Sequence, residues 1–300
     1  MLGSPIGHSL SPALHRAAYA ALGLTWWRYD AIECDEAGLS GLLDRCGPDW
    51  AGLSLTMPLK RAVLPLLDRI DPLVTAVGGA NTVLFAAAQR LGYNTDVPGM
   101  VRALAERGVA PALDVTSPGG AAPPPRDDAA DGVGPVLILG GGATACAALG
   151  ALRDLGERSA VVAVRNPARS SELLAAADRL GIAVTLTPFA EAAPGTARLL
   201  VSTVPAGAAD DLAAGLAGLA EPPAVVFDVV YDPWPTRLAQ AARRAGAVAI
   251  GGFDLLLHQA ALQVELMTGR PAPLKAMRAA GRAELAARQG GVAWPGAATR

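Results

Sequence analysis

Lys60 is the residue whose type and position most clearly suggest chemistry. Of the 25 lysines and arginines in the chain, only Lys60 and Lys275 are lysines, and lysine can release and recover a proton whereas arginine stays protonated. Lys60 ends the stretch Leu53-Ser-Leu-Thr-Met-Pro-Leu-Lys60, where a predicted strand over 51–56 meets a helix that starts near Pro58. Open α/β sheets bind ligands at such junctions. From these residues alone, catalysis and a chance surface lysine are equally good interpretations.

Asp96 is the candidate acid–base partner of Lys60. It ends the polar sequence Asn94-Thr95-Asp96 directly after a predicted strand, although sequence alone does not bring it near the lysine. Asn81 is a further polar candidate, for which a position in a turn is the simpler interpretation.

Ser9 and Ser11 could donate hydrogen bonds to a carboxylate. Ser11 stands directly before Pro12, however, and this pair is typical of a helix start, so an N-cap is the simpler interpretation. A metal site is not expected, because no paired spacing is found among the three histidines, His8, His15 and His258.

The sequence Val136-Leu-Ile-Leu-Gly140-Gly-Gly142-Ala-Thr-Ala145 combines a strand, a G-x-G-x-x-A turn and a helix start. Gly140 permits the tight turn, Gly142 lets the backbone approach a pyrophosphate, and the helix N-terminus offers amide donors to it. Because the turn heads a series of strand–helix units, dinucleotide binding is the better interpretation.

The end of the second strand in this series indicates which dinucleotide binds. An NAD site usually places an acidic residue there for the ribose hydroxyls, whereas this chain has Arg165 and Arg169. Guanidinium groups match a phosphate well, so the sequence favours NADP over NAD.

Composition excludes several other classes of function. A formal net charge of -2 gives no signal for binding nucleic acid, and no run of about 18 apolar residues predicts a membrane span. The N-terminus does not resemble a signal peptide. Three cysteines without a C-x-x-C pair fit a reduced, cytoplasmic setting.

The order of predicted elements indicates an α/β protein with two domains. After a Pro-, Gly- and Asp-rich segment at 109–134, expected to be a flexible loop, strands and helices alternate, which predicts a Rossmann-like doubly wound parallel sheet. The predicted strands cover 136–139, 160–164, 184–186, 199–202, 224–228 and 247–250. Earlier in the chain, 25–32 is also predicted to be a strand. Helices are predicted over 253–267 and 272–287, followed by a disordered tail at 289–300.

Five ordered motifs together resemble the shikimate dehydrogenase family. They are Ser4 to Pro12, Leu55 to Lys60, Gly79-Ala-Asn81-Thr82, Asn94-Thr95-Asp96 and Gly252-Phe-Asp-Leu-Leu-Leu-His-Gln259. The resemblance implies an NADPH-dependent reduction of 3-dehydroshikimate to shikimate. It also implies a discontinuous substrate domain, 1–100 plus 253–288, with a smaller mixed sheet completed by C-terminal helices, and an NADP-binding domain at 101–252.

The resemblance also assigns roles to individual residues. Lys60 and Asp96 would be the catalytic pair. The substrate would be bound by Ser9, Ser11, Thr56, Asn81, Asp96, Tyr231 and Gln259. NADP would be bound by Gly140, Gly142, Ala143, Arg165, Arg169 and Gly252. One departure is that Val164-Arg165-Asn166 replaces the Asn-Arg-Thr usual in the family, which keeps the arginine but loses two polar neighbours.

Two alternatives remain at this stage. Quinate-active relatives more often carry an acidic residue near position 165 and use NAD, and some have threonine where this chain has Ser11. A catalytically idle, ligand-binding relative is the other possibility, which the retained Lys60 and Asp96 argue against. The expected ligands are small molecules, with neither nucleic acid nor membrane as a partner, and the expected state is a monomer or a homodimer.

Overall fold

Two small sheets form the N-terminal part of the computed structural model, which describes residues 1–109, 134–216 and 218–290. Strand β1 (Leu2–Gly3) pairs in parallel with β2 (Ile32–Glu33). The other sheet contains β3 (Gly52–Ser54), β4 (Arg69–Ile70), β5 (Thr82–Ala86) and β6 (Gln89–Tyr93), in the order β3-β5-β6-β4. Strand β5 is antiparallel to β3 and β6, whereas β4 and β6 are parallel. The predicted mixed sheet is therefore confirmed.

Four helices accompany these sheets: α1 (Ser11–Ala21), α2 (Glu36–Arg45), α3 (Leu59–Ala62) and α4 (Pro72–Val77). Apolar side chains of α2, α3 and α4 close a core over β3 and β5, in which Leu39, Leu53, Leu59 and Val83 are at most 2% exposed. Burial of such side chains stabilises a fold by about 1.5–3 kcal/mol each. This core fixes the junction between β3 and α3, which carries Lys60.

The second half of the described chain forms one six-stranded parallel sheet. Its strands are β7 (Val136–Leu139), β8 (Ser159–Val164), β9 (Ala183–Pro188), β10 (Leu199–Ser202), β11 (Val225–Asp228) and β12 (Val248–Gly251). Their spatial order is β12-β11-β10-β7-β8-β9. The connections reverse direction between β7 and β10, as in a doubly wound sheet, so the predicted fold class is confirmed.

Helices cover both faces of this sheet. The preceding helix α5 (Asp96–Glu106) lies with α6 (Ala143–Asp154) and α7 (Ser171–Leu180) against the face that includes Ile138. Helices α8 (Asp210–Leu216) and α9 (Arg237–Arg244) cover the other face, which includes Leu137 and Leu139. Side chains alternate between faces along a strand, so an unbroken apolar strand such as β7 is what a doubly covered sheet requires.

Two long helices return the chain to the N-terminal part. Helix α10 (Gly252–Thr268) follows β12 directly, and α11 (Leu274–Gly290) packs with it against α1. Helices α10 and α5 approach very closely, because a Cβ atom on Gly99 would lie 3.0 Å from the Cβ atom of Gln259. Helices α5 and α10, which connect the N-terminal sheets with the parallel sheet, therefore lie side by side.

Two local predictions are wrong. Residues 25–32 do not form a strand apart from Ile32: only Ile32–Glu33 pairs with a neighbour, and Trp26 is 75% exposed. The helix after Pro58 is also shorter than its apolar pattern predicts, which runs through Leu67, since α3 covers only Leu59–Ala62 before a 3₁₀ turn at Leu64–Leu66. Pro65 in that turn explains the break, because proline cannot donate the hydrogen bond that an α-helix needs.

The predicted loop at 109–134 lies outside the described residues except for its two ends, and so does the predicted tail from 291 onward. Helix α11 continues through Gly290, past the expected start of the tail at 289. Among the described helices, none is both long and apolar enough to span a membrane.

Candidate active site

Lys60 and Asp96 form an ion pair at the start of two helices. The Lys60 Nζ atom lies 2.6 Å from Asp96 Oδ2, and the two side chains are 16% and 9% exposed. Lys60 is in the first turn of α3, whereas Asp96 is the first residue of α5. A pair so close and so shielded interacts more strongly than a surface ion pair and holds both groups in place. The predicted partners therefore meet, although they are 36 residues apart.

The backbone around Lys60 is fixed by the neighbouring strands. The carbonyl oxygen of Lys60 accepts a hydrogen bond of 2.8 Å from the amide of Ala80. The amide of Leu55, before the turn, donates at 2.8 Å to the carbonyl oxygen of Asn81. The segment that precedes β5 is thus tied to both sides of the junction between β3 and α3.

Asn81 connects the ion pair to the rest of a buried polar network. It lies in the bend before β5, yet its side chain is only 1% exposed. Its Nδ2 atom donates to Asp96 Oδ1 at 3.0 Å and to Thr95 Oγ1 at 2.9 Å, and its Oδ1 accepts from the Thr95 amide at 2.8 Å. An amide held by these hydrogen bonds fixes the orientation of the Asp96 carboxylate.

Asn94 holds the start of helix α5. Its Oδ1 atom accepts from the amides of Asp96 and Val97 at 3.0 and 3.2 Å, and its Nδ2 donates to the carbonyl oxygen of Gly79 at 2.8 Å. This side chain satisfies amides that the first helical turn leaves free. The polar sequence 94–96 therefore serves both the helix start and the ion pair.

Helix α10 adds two glutamines to the network. Gln259 Oε1 lies 3.4 Å from Asn81 Nδ2, and Gln263, one turn later, donates at 3.0 Å to Thr82 Oγ1. Gln263 was not among the predicted site residues. Its spacing of four residues from Gln259, which places both side chains on one helix face, is the signal that identifies it.

The remaining predicted substrate residues lie on three segments. Ser11 is the first residue of α1, but its side chain makes no capping hydrogen bond, so the N-cap interpretation is wrong. Its amide donates at 3.2 Å to Ser9 Oγ. Thr56 follows β3, beside Gly3, and its amide donates at 3.0 Å to the carbonyl oxygen of Leu2. The Tyr231 hydroxyl reaches the Ser9 loop, 3.4 Å from the carbonyl oxygen of His8.

A buried cluster behind Ser11 was missed by sequence reasoning. The Tyr29 hydroxyl is hydrogen-bonded to the side chains of Ser54 and Ser11, and burial raises the pKa of Tyr29. The His15 ring stacks on Tyr29 with centroids 3.9 Å apart, and its Nδ1–H donates to the Ser11 carbonyl oxygen at 2.9 Å. Only tertiary packing brings these residues together, so no local pattern could have predicted the cluster.

His15 makes the stability of the fold dependent on pH. Complete burial lowers its pKa from 6.5 to about 3. Below about pH 6.5 the ring binds a proton in the unfolded chain but not in the folded one. The contribution of His15 to the free energy of unfolding is therefore fully present above that pH and is lost as the pH falls toward about 3. Chemical denaturation at several pH values gives the slope of the free energy of unfolding against pH. We expect His15→Phe to lower this slope by up to about 1.4 kcal/mol per pH unit between about pH 3 and 6.5.

The control for this prediction is His8→Gln, which alters an exposed histidine. We expect this variant to keep the wild-type slope. An unchanged slope in His15→Phe would show that His15 does not contribute to the acid sensitivity.

The glycine turn after β7 has the geometry of an anion site. Gly140 has φ +102°, a conformation that favours glycine, and a Cβ atom there would lie 2.7 Å from Thr203 Oγ1. Gly142 is the N-cap of α6, and a Cβ atom on it would meet no atom within 4 Å. Ala143 is the first residue of the helix. The space beside Gly142 at this helix start is therefore open, and a phosphate group could enter it.

Arg165 and Arg169 lie at the end of the neighbouring strand β8, and both are exposed. Between them, Asn166 Oδ1 accepts from the amide of Ala168 at 3.1 Å and so begins a 3₁₀ turn that includes Arg169. An open glycine turn flanked by two arginines and no carboxylate fits a phosphorylated dinucleotide such as NADP.

Gly252 is required by packing. A Cβ atom there would lie 1.8 Å from the carbonyl oxygen of Val229, and its amide donates at 3.1 Å to the carbonyl oxygen of Val230. These contacts account for the glycine. Its contact with the cofactor stays a prediction.

The chain is similar to curated relatives over nearly its whole length. The shikimate dehydrogenase (NADP(+)) of Moorella thermoacetica is 34% identical over an alignment that covers 98% of this chain and 95% of the relative. The chain belongs to the shikimate dehydrogenase family. Models of the family's substrate binding domain and C-terminal domain match residues 1–83 and 252–280, respectively. The resemblance stated from the sequence motifs is confirmed.

Solved structures of family members have the same fold. The Mycobacterium tuberculosis shikimate dehydrogenase has a TM-score of 0.79 and 39% identity, and the match covers 94% of this chain and 97% of that one. The Thermus thermophilus shikimate 5-dehydrogenase in complex with NADP(H) and shikimate has a TM-score of 0.73 and 32% identity, with 94% and 97% covered.

Proposed function

We propose that this protein catalyses the reversible, NADPH-dependent reduction of 3-dehydroshikimate to shikimate. The observation that carries the proposal is the ion pair of 2.6 Å between Lys60 and Asp96, held by Asn81. Membership of a family whose curated members are named for this NADP-dependent reaction supports it. The retained pair also argues against a catalytically idle relative.

The proposed substrate site has groups suited to each part of the substrate. We assign the ring hydroxyls to Thr56, Asn81, Asp96 and Gln259, whose side chains offer both donors and acceptors. The carboxylate is assigned to the hydroxyls of Ser9 and Ser11, with Tyr231 at the same loop. The observation in favour of this assignment is the hydrogen bond of 3.2 Å from the Ser11 amide to Ser9 Oγ, which brings the two serines together.

In the proposed mechanism, Lys60 is the proton donor. Bound NADPH supplies the hydride that reduces the C3 carbonyl group. The Lys60 ammonium group hydrogen-bonds to that carbonyl oxygen, stabilises the negative charge that develops there and donates a proton to it. Asp96 orients Lys60 and binds the adjacent hydroxyl. In the reverse direction, neutral Lys60 takes the proton back.

The cofactor is assigned to the carboxyl edge of the parallel sheet. Gly140, Gly142 and Ala143 would hold the pyrophosphate at the start of α6, and Arg165 and Arg169 would bind the 2′-phosphate. Gly252, at the start of α10, is assigned to the nicotinamide end of the site. The proximity of α6 to Asp96 supports this arrangement, since a Cβ atom on Gly150 would lie 2.9 Å from Val97 Cγ2.

We also propose that the chain is divided into a discontinuous substrate domain, 1–100 plus 253–288, and an NADP-binding domain, 101–252. The packing of α10 and α11 on α1 supports this division. We further propose a cytoplasmic monomer or homodimer, in agreement with three free cysteines among the described residues.

The decisive test is an assay of NADPH oxidation with 3-dehydroshikimate. We expect turnover with this substrate, and in the reverse direction a preference for shikimate over quinate. Ligand binding without substrate-dependent NADPH oxidation would contradict the proposal, and a preference for quinate would favour the related quinate dehydrogenase activity.

Arg165 and Arg169 should determine the preference for NADP. Each can form charge-assisted hydrogen bonds with the 2′-phosphate, worth about 1.5–3 kcal/mol each. We expect the double variant Arg165→Ala/Arg169→Ala to lower the ratio of kcat/KM for NADP to that for NAD at least roughly tenfold. Arg244→Ala, which removes an exposed arginine on α9, should leave this ratio unchanged. A double variant with the wild-type ratio would exclude both arginines from cofactor selection.

A further inference from the structure

Arg288, in the last turns of α11, reaches the loop that carries Ser9. Its Nη1 atom donates to the carbonyl oxygen of His8 at 2.7 Å, and Nη2 donates to that of Ser9 at 3.3 Å. Its Nε donates to Glu284 Oε1, one turn earlier, at 3.1 Å. The side chain is 25% exposed. The Arg288 guanidinium group is thus oriented by its own helix. It hydrogen-bonds to two consecutive carbonyl groups about 280 residues away in sequence.

Other groups hold the rest of this loop: Glu33 Oε2 accepts a hydrogen bond of 3.0 Å from the Ile6 amide, and the Ser9 hydroxyl donates to Met1 Sδ at 2.7 Å. The amide of Ser9 donates to the Ile6 carbonyl oxygen at 3.1 Å, which makes a tight turn, and a Cβ atom on Gly7 in that turn would meet no atom within 4 Å. The Tyr231 hydroxyl approaches the same His8 carbonyl oxygen, at 3.4 Å. The position of the Ser9 backbone therefore depends on residues from two other parts of the chain.

We propose that Arg288 is a positioning residue for recognition of the substrate carboxylate. It holds the carbonyl groups of His8 and Ser9 so that the hydroxyls of Ser9 and Ser11 face the carboxylate together. Arg288 itself acts through the loop and is not assigned a contact with the substrate. The inference rests on the proposed function, since it concerns the same substrate site.

The choice of arginine follows from the geometry. Three donor nitrogens of one planar group are used at once, on two carbonyl oxygens and one carboxylate oxygen. A lysine ammonium at this position is a point donor without that fixed fork. A conservative Arg288→Lys change should therefore restore only part of the function that alanine removes.

The test compares steady-state kinetics of Arg288→Ala, Arg288→Lys and Arg282→Ala. Loss of charge-assisted hydrogen bonds should raise the KM for shikimate roughly tenfold in Arg288→Ala, with a smaller rise in Arg288→Lys. The kcat and the KM for NADP should stay near wild type in both. Arg282, exposed on the same helix, provides the matched control and should change none of these values.

Two results would overturn the inference. One is a KM for shikimate in Arg288→Ala that equals that of Arg282→Ala. The other is a parallel loss of kcat and of both KM values, which would indicate a general structural role. If Arg288→Ala does not fold, Glu284→Ala removes the carboxylate that orients the guanidinium, and it should raise the shikimate KM alone. Inactivity of the wild-type protein with shikimate and NADP would instead contradict the proposed function.

Discussion

The Lys60→Ala variant is expected to reduce 3-dehydroshikimate at least about a hundredfold more slowly than the wild type, because a positioned acid contributes about that much or more. Alanine also removes the positive charge that stabilises the developing oxyanion. The KM for NADPH should remain near the wild-type value, since Lys60 is not assigned to the cofactor. Initial rates of NADPH oxidation, together with NADPH binding by fluorescence, measure both effects.

The other lysine of the chain provides the control for this variant. Lys275 is exposed on α11, and Lys275→Ala removes the same charge and side chain at a distance from the ion pair. It should keep wild-type rates. Near-normal turnover in Lys60→Ala would exclude Lys60 as the proton donor.

The Asp96→Asn variant is expected to have the second largest effect. Asparagine keeps the size of the side chain and can still accept from Asn81 Nδ2, but it removes the negative charge 2.6 Å from the Lys60 ammonium group. Because removing one partner of a shielded charge pair typically costs about 2–5 kcal/mol, we expect kcat/KM for 3-dehydroshikimate to fall at least roughly thirtyfold. Steady-state rates across a range of substrate concentrations measure this loss.

Asp44→Asn is the matched control, because it neutralises an aspartate whose side chain is 65% exposed and paired with Arg90. Exposed pairs contribute about 0–1 kcal/mol, so little change is expected. The double variant Lys60→Ala/Asp96→Asn should be about as slow as Lys60→Ala alone, because groups that act as a unit are not additive. If the rate losses of the two single variants instead multiply in the double variant, the two residues act independently.

The parallel sheet could be predicted well because its signals are local. Strands β7 and β10 have the predicted bounds, since β7 is entirely apolar and β10 is apolar up to its last residue, Ser202, and the covered sheet buries both on both faces. The segment 25–32 is also rich in aromatic and β-branched residues, which favour strands, yet Trp26 is 75% exposed. The residue types of a segment indicate how well it suits a strand. A strand also needs a neighbouring strand to pair with, and only the three-dimensional fold supplies that.

The candidate site could be predicted in part for the same reason. Lys60, Asp96 and the glycine turn each stand at the end of a strand or the start of a helix, which a sequence pattern can locate. Tyr29, His15 and Arg288 carry no such signal. They reach the Ser9–Ser11 segment through contacts between distant parts of the chain, such as the hydrogen bonds from Arg288 to the carbonyl groups of His8 and Ser9.

The side-by-side packing of helices α5 and α10 has a consequence for how the two parts of the protein could move. In the proposed division into two domains, α5 and α10 connect the two, and a domain that turns about an axis is displaced least near that axis. Asp96 begins α5 and Gln259 lies on α10, whereas β9 lies at the edge of the sheet opposite to β12. A rotation about these two helices would displace β9 more than Asp96 and Gln259. It would also have to break the hydrogen bond of 3.1 Å from Arg179 Nε on α7 to the carbonyl oxygen of Ala76 on α4. Cofactor exchange would then be possible without disturbing the proton-transfer groups.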